Sequence, residues 1–266
     1  MDPCPDPPQV NVLSDGHGTL ESVGVDRRGR LFFTDSEAGE LLMFEDPGAE
    51  PKVIADGIDG PGGIVFQRRK GNVLVGFGNT MDQAADGALN PEGGLLRVNP
   101  ETKEAEVRTE GLQAANGVAR GPEHAIFASN ALVPGGIDRI ERGEMPQLNW
   151  GTVLSANGMI ADSSRESLFV NQTLTRSSIQ RVPFGDPAAA TTYFQADPAD
   201  AAGAWTASPA VTATRFSPPR TGAARSGAST ARPRPAPCSP AILSPWDPAM
   251  SPSASPEPAS ARTTCT

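Results

Sequence analysis

Three oxygen-bearing side chains, Glu21, Asn116 and Asn157, stand at the same place in a phrase that recurs along the chain. Each comes directly before an alternation of apolar residues. Taken singly, Glu21 is a surface carboxylate and each Asn-Gly pair is a common turn dipeptide. Their common register places a carboxylate and two amides at equivalent points of the repeat. Whether they act together depends on the elements that carry them.

The recurring phrase indicates a series of similar small sheets. Its copies begin at residues 21, 62, 116 and 157: "ESVGVDRRGRLFFTD", "GGIVFQRRKGNVLVG", "NGVARGPEHAIFASN" and "NGMIADSSRESLFVN". Each copy predicts a short strand, a polar turn and a second strand. A second phrase ("GELLMF", "GGLLRV", "GIDRI", "SIQRV") predicts a third strand, and a weaker fourth ("KVIAD", "EAEVRT") follows in several copies.

The spacing of the phrase predicts the fold class. Its starts lie 41, 54 and 41 residues apart, which fits the blades of an all-β propeller. The longer interval contains "NTMDQAADGALNPEG", which we interpret as an inserted polar loop, and no amphipathic helix is expected anywhere. The alternative is a β-sandwich with similar strand spacing, which has no reason to repeat one phrase at one period.

The pattern divides the chain into three parts. Residues 1–7 are predicted to be a disordered N-terminus, residues 8–202 an incomplete propeller of about four blades, and residues 203–266 a disordered low-complexity tail. Propellers hide their sheet edges by closing into a ring. "PQVNVLS", residues 8–14, is the candidate for the strand that would close it.

The phrases "GTLESVGVDRRGRLFFTDS", "QAANGVARGPEHAIFASN" and "SANGMIADSSRESLFVNQ" resemble the senescence-marker-protein, gluconolactonase and luciferin-regenerating-enzyme family. Paraoxonases and strictosidine-synthase-like proteins are its relatives. The resemblance implies a six-bladed β-propeller that holds a divalent metal, usually calcium, in its central channel. It implies that Glu21, Asn116 and Asn157 are metal ligands, whereas Gly62 takes the equivalent place in the second blade, where the family usually has none. Such a metal polarises a lactone or ester carbonyl and stabilises the developing oxyanion.

The stretch "AGAWTASPAV" stands where the family's fifth blade should open with Asp-Gly. Trp205 is encoded by TGG and the codon of Thr206 begins with AC, so the frame one nucleotide earlier contains GAC, aspartate. Its neighbours in that frame allow Leu-Asp-Gly-Leu. Ala, Pro, Ser, Thr and Arg make up 50 of the last 64 residues, as GC-rich DNA gives out of frame. We therefore predict a frameshift near residues 200–205. A genuine low-complexity tail is the alternative, and either would not pack.

Charge and cysteine placement restrict the partners. The chain carries a net charge of -9, of which residues 203–266 contribute +4 and residues 1–202 contribute -13. An acidic body argues against nucleic acid and anionic membranes and suits cations. All three cysteines lie outside the patterned region, so no disulfide framework or thiolate site is expected. Without a visible signal peptide or apolar span, we expect a soluble cytoplasmic protein.

The sequence supports one main hypothesis about function. It predicts a calcium-type lactonase or esterase acting on a small lactone or ester, impaired here because the fourth ligand, an aspartate, is lost with the fifth blade. The alternatives are a non-catalytic propeller that serves as a binding platform, and a strictosidine-synthase-like condensing enzyme, for which no acid is placed. His17 in "DGHGTL" is a candidate for proton transfer at the channel mouth, and His124 in "GPEHAIF" is expected to be a solvated turn residue.

Overall fold

A computed structural model of the chain describes residues 11–46, 48–67, 71–132, 135–164, 166–174 and 177–196. Within these residues the strands form four sheets of four strands each. All pairs are antiparallel, and each sheet uses four strands that are consecutive in the chain. The arrangement confirms the prediction of an all-β propeller with about four blades, one for each copy of the repeated phrase.

The first two blades follow the repeated phrases closely. Blade 1 contains β1 (Leu20–Val25), β2 (Leu31–Asp35), β3 (Glu40–Phe44) and β4 (Lys52–Ala55). Blade 2 contains β5 (Ile64–Phe66), β6 (Val73–Phe77), β7 (Gly93–Val98) and β8 (Ala105–Leu112). The weak fourth strand of the sequence is therefore present in both.

The other two blades repeat this order. Blade 3 contains β9 (Val118–Arg120), β10 (Ile126–Ser129), β11 (Ile137–Ile140) and β12 (Gln147–Gly151). Blade 4 contains β13 (Ala156–Asp162), β14 (Ser167–Gln172), β15 (Ser178–Pro183) and β16 (Thr191–Gln195). Two short 3₁₀ turns, Pro122–His124 and Pro187–Ala189, complete the regular structure.

Three of the four apolar clusters in the described residues lie between blades, and the fourth lies on blade 1 alone. One apolar cluster joins blades 1 and 2, a second joins blades 2 and 3, and a third joins blades 3 and 4. Alternate residues of the central strands supply them, because successive side chains of a strand point to opposite faces. The most buried members include Phe32, Leu41, Val75, Leu95, Leu112, Phe127, Ile137, Met159 and Val170. Burial of these faces against one another stacks the blades in chain order.

The long interval in blade 2 differs from the expectation. Part of the segment interpreted as a polar loop forms a short helix, α1 (Met81–Asp86). Thr80 caps it: its hydroxyl accepts from the Gln83 N–H, while the Gln83 side chain accepts from the Thr80 N–H. This reciprocal pair is a capping box. The interpretation of this whole segment as a loop was therefore wrong for Met81–Asp86, and the Thr-x-x-Gln spacing was the signal for the helix.

Two further expectations fall at the ends of the described chain. Residues 11–14 of the proposed closing segment form no strand, and the rest of that segment lies outside the described residues. The predicted disordered parts, residues 1–7 and 203–266, lie outside them as well. No helix in the described part of the chain is long and apolar enough to cross a membrane.

Candidate functional site

The first strands of successive blades lie innermost, since β1 contacts β5, β5 contacts β9, and β9 contacts β13. Glu21 is the second residue of β1 and Asn157 the second residue of β13. Asn116 lies two residues before β9 and extends its ladder, because its N–H donates to Ser129 O at 3.0 Å. The three candidate residues therefore stand at the beginning of the innermost strand in blades 1, 3 and 4.

Glu21 and Asn116 meet through their side chains although 95 residues separate them in the chain. Asn116 Nδ2 donates to Glu21 Oε2 at 3.4 Å. Asn116 is 9% exposed, and its Oδ1 is buried without a hydrogen-bond partner. Only Gln113 Oε1 and Arg139 Nε share that state among the described side chains. An orphaned buried acceptor beside a carboxylate is unusual, because buried polar atoms are nearly always paired.

Asn157 approaches the Asn116 segment through the main chain. A Cβ at Gly117 would clash with Asn157 O, so only glycine permits this contact between β9 and β13. Ser129 Oγ donates to Asn157 O at 2.7 Å. The structure thus joins Glu21 to Asn116 by side chains, and Asn116 to Asn157 by their strands. Within the described residues no hydrogen bond links Glu21 directly to Asn157.

Gly62 holds the equivalent place in blade 2 and offers no side chain. The lack of a side chain at position 62 has a packing reason, since a Cβ there would clash with Ala115 O. The Gly63 N–H also donates to Ala115 O, at 3.1 Å. The Asn116 segment therefore runs directly over the start of blade 2. This close approach explains why one of the four repeats lacks an oxygen-bearing side chain at this position.

The electrostatics of the site leave Glu21 short of positive charge. Burial raises the pKa of the Glu21 carboxyl, and the hydrogen bond from Asn116 opposes this only in part. None of the ion pairs formed by the described side chains includes Glu21. A half-buried carboxylate without a cation is costly. A bound cation would offset that cost.

The donor set fits a hard cation. A carboxylate, the unpartnered Asn116 Oδ1 and the amide of Asn157 are oxygen ligands of the kind calcium takes. The described residues contain no group of three or more His, Cys, Asp or Glu side chains placed to hold a metal. A cation at this place would therefore depend on amide oxygens and on further ligands beyond Glu21.

The two histidines lie in different surroundings. His17 Nε2 is 2.8 Å from Ser14 Oγ, and the imidazole meets the Phe33 ring edge-on at 5.0 Å. It lines an open depression of about 450 Å³ with Asp35 and Glu37, near the end of β2 and hence near the beginning of β1. Within the described residues, no hydrogen bond or ion pair joins His17 to Glu21. His124 is exposed in its 3₁₀ turn, as predicted.

Sequence reasoning missed a buried polar network beside Asn116. Asp138, which is 1% exposed, accepts from Gln113 N at 2.8 Å, Gln113 Nε2 at 2.7 Å and Asn149 N at 2.9 Å. Burial raises the pKa of Asp138, and these hydrogen bonds oppose the shift. The signal was an aspartate at a β-strand position where blades 1 and 2 have Leu42 and Leu96.

Comparison with known proteins supports the fold. No protein-family model matches this chain, and no curated protein matches it. A gluconolactonase from Xanthomonas campestris matches with a TM-score of 0.54 and 16% identity, over 68% of this chain and 64% of that one. A chain of a nidogen/laminin complex matches with a TM-score of 0.52 and 16% identity, over 70% and 66%. This chain therefore spans less than two thirds of the length of either structure. At such identity the likeness shows a gluconolactonase-like propeller fold and nothing finer.

Proposed function

We propose that the beginning of the innermost strands binds a divalent cation, calcium, through Glu21, Asn116 and Asn157. We further propose that the chain derives from a metal-dependent hydrolase of small lactones or esters. The fold likeness to a gluconolactonase supports the reaction class. The observation that carries the proposal is the pairing of Glu21 with Asn116, whose Oδ1 is buried without a partner.

Each residue has a distinct part in this proposal. Glu21 supplies the negative charge, and the raised pKa of its carboxyl reflects a burial cost that a cation would relieve. Asn116 orients Glu21 with Nδ2 and has Oδ1 left to bind. Asn157 brings a third side chain from the neighbouring blade. When bound, calcium would polarise the carbonyl of a lactone or ester and stabilise negative charge on its oxygen.

The donor set is incomplete by comparison with the resembled family. That family places a fourth ligand, an aspartate, at the start of its fifth blade, and "AGAWTASPAV" has none. We therefore expect this chain to bind calcium weakly, with a Kd above about 10⁻⁴ M. We expect it to hydrolyse lactones slowly or not at all. A gene with the frame restored near codon 203 should gain both properties.

Calcium titration of the full chain tests the proposal, with the midpoint of thermal unfolding as the readout. Calcium should raise the Tm of the unaltered chain, because a ligand that binds only the folded state stabilises it. Glu21→Gln should abolish that rise. Glu37→Gln is the matched control: it removes an exposed carboxylate near the beginning of β1, and should leave the rise intact.

Other outcomes would point elsewhere. Micromolar calcium affinity or rapid lactone turnover would contradict the impairment. A folded chain whose Tm ignores calcium would contradict the cation site and favour the binding platform. In that case Glu21→Gln and Asn157→Ala should leave the binding of its protein partner unchanged. The fold allows this alternative, since a chain of a nidogen/laminin complex shares it.

A further inference from the structure

Ser129 ends β10 in blade 3 and is fully buried. Its main chain extends the β9–β10 ladder to the Asn116 segment: Asn116 N donates to Ser129 O at 3.0 Å, and Ser129 N donates to Gly117 O at 2.9 Å. These two bonds fix the register of the Asn116 segment against β10 of its own blade. They involve only backbone atoms, so any residue except proline could form them at this position.

The Ser129 hydroxyl does more, since it joins two blades. Gly117 N donates to Ser129 Oγ at 2.9 Å, and Ser129 Oγ donates to Asn157 O at 2.7 Å. A hydroxyl has one proton to give and lone pairs to accept with, so both bonds can exist at once. The Ser129 hydroxyl oxygen therefore links Gly117, which follows the candidate ligand Asn116, to the main chain of the candidate ligand Asn157.

We infer that Ser129 is a positioning residue for the cation site, an inference that rests on the proposed function. Its hydroxyl holds the Asn116-Gly117 segment of blade 3 and the Asn157 segment of blade 4 at a fixed spacing. Ligands of a metal must converge on one point, and partners that orient them typically change metal affinity when removed. Among the described residues, Ser129 forms no hydrogen bond with the side chain of Asn116 or Asn157, and its bonds to these segments are to main-chain atoms.

The chain contains an internal control for this inference. Thr34 occupies the same place in the repeated phrase of blade 1 ("RLFFTD" against "AIFASN") and is also fully buried. Its Oγ1 donates to Gly62 O at 3.0 Å. This bond joins blades 1 and 2 as the Ser129 bond joins blades 3 and 4. Gly62 has no side chain, however, so the Thr34 hydroxyl bonds to no residue that carries a candidate ligand.

The test compares Ser129→Ala with Thr34→Val in the full chain, using a calcium series and thermal unfolding. Each variant loses one interblade hydroxyl bond, so both should lower the Tm in the absence of calcium. Only Ser129→Ala should raise the calcium concentration needed for half of the Tm increase, by about tenfold or more. Should Ser129→Ala fail to fold, Ser129→Cys keeps a weak donor and should show the same shift to a smaller extent.

The outcomes separate this inference from the proposal beneath it. If calcium does not change the Tm of the unaltered chain, the proposed cation site is wrong, and so is the role of Ser129 as a positioning residue for it. If the unaltered chain responds to calcium and both variants respond as it does, Ser129 is structural and only this inference is overturned. An equal loss of affinity in both variants would also overturn it, because Thr34 holds no candidate ligand.

Discussion

At the far end of the blade 1–2 interface, Arg30 lies between two carboxylates. It contacts Asp26 and Glu101 at 2.8 Å each, with its side chain 8% exposed. At the near end, where the innermost strands begin, Glu21 is also partly buried. There its carboxylate accepts one hydrogen bond, of 3.4 Å, from the side-chain amide of Asn116. Both ends hold buried polar groups. At the far end Arg30 forms ion pairs with both Asp26 and Glu101. At the near end Glu21 forms no ion pair with any described side chain.

Asp138 shows that the near end is able to satisfy a carboxylate. It lies in the network that holds Gln113, three residues before Asn116, and it accepts three hydrogen bonds. The shortage at Glu21 is therefore local. A structural polar group has its partners within the fold, whereas a binding group keeps some of its capacity for a ligand. This contrast separates the Glu21 carboxylate, which has one long hydrogen bond from Asn116, from the Asp138 carboxylate, which accepts three shorter ones.

The largest effect is expected at Asp138. Asp138→Ala would leave two N–H groups of the buried Gln113 and the main-chain N–H of the more exposed Asn149 without an acceptor, which should cost about 3 kcal/mol of the free energy of unfolding. Urea denaturation measures this loss. Asp138→Asn keeps one acceptor oxygen and should lose less. If Asp138→Ala unfolds at the same urea concentration as the unaltered chain, the near end is not held by satisfied groups and the contrast with Glu21 disappears.

The far end should be less sensitive and independent of calcium. Arg30→Met leaves Asp26, whose side chain is 10% exposed, without its guanidinium, and should cost about 2 kcal/mol. Arg28→Met is the matched control. Arg28 contacts the same Glu101 oxygen at 2.7 Å, but its side chain is 70% exposed, so its loss should cost under about 0.5 kcal/mol. Neither variant should alter the calcium-dependent rise in Tm, and a change there would show that the two ends are coupled.

The repeat made the blades predictable from the sequence. Each copy of the phrase became two paired strands, because alternation and turn residues are local signals, and the apolar faces of those strands form the cores between blades. The beginning of the innermost strand could be located in the same way, which brought Glu21, Asn116 and Asn157 to one end. Helix α1 was missed although Thr80 and Gln83 carried its signal.

The interblade bonds could not be predicted in this way. Ser129 meets Asn157 across 28 residues and Asp138 meets Gln113 across 25. Alignment of the repeats marks Asp138 as a polar residue at an apolar strand position, but it does not identify the partner of either side chain. Their partners are set by how neighbouring blades stack. The same holds for Glu21 and Asn116, whose positions in the sequence differ by 95. The repeat gave these residues a common position, and stacking decided which of them meet.

The smallest expected effect concerns Glu21 and is a change in pH dependence. Burial raises the pKa of Glu21 above its ordinary value of 4.5. Between the ordinary and the raised pKa, the folded chain therefore binds more protons than the unfolded chain. Stability from this group is full below pH 4.5 and is lost as the pH rises through the raised pKa.

Glu21→Gln should therefore flatten the decline of Tm with rising pH. Saturating calcium should flatten it too in the unaltered chain, because a cation favours the ionised carboxylate. If Glu21→Gln leaves the profile unchanged, the carboxylate is already compensated, and the near end no longer differs from the far end.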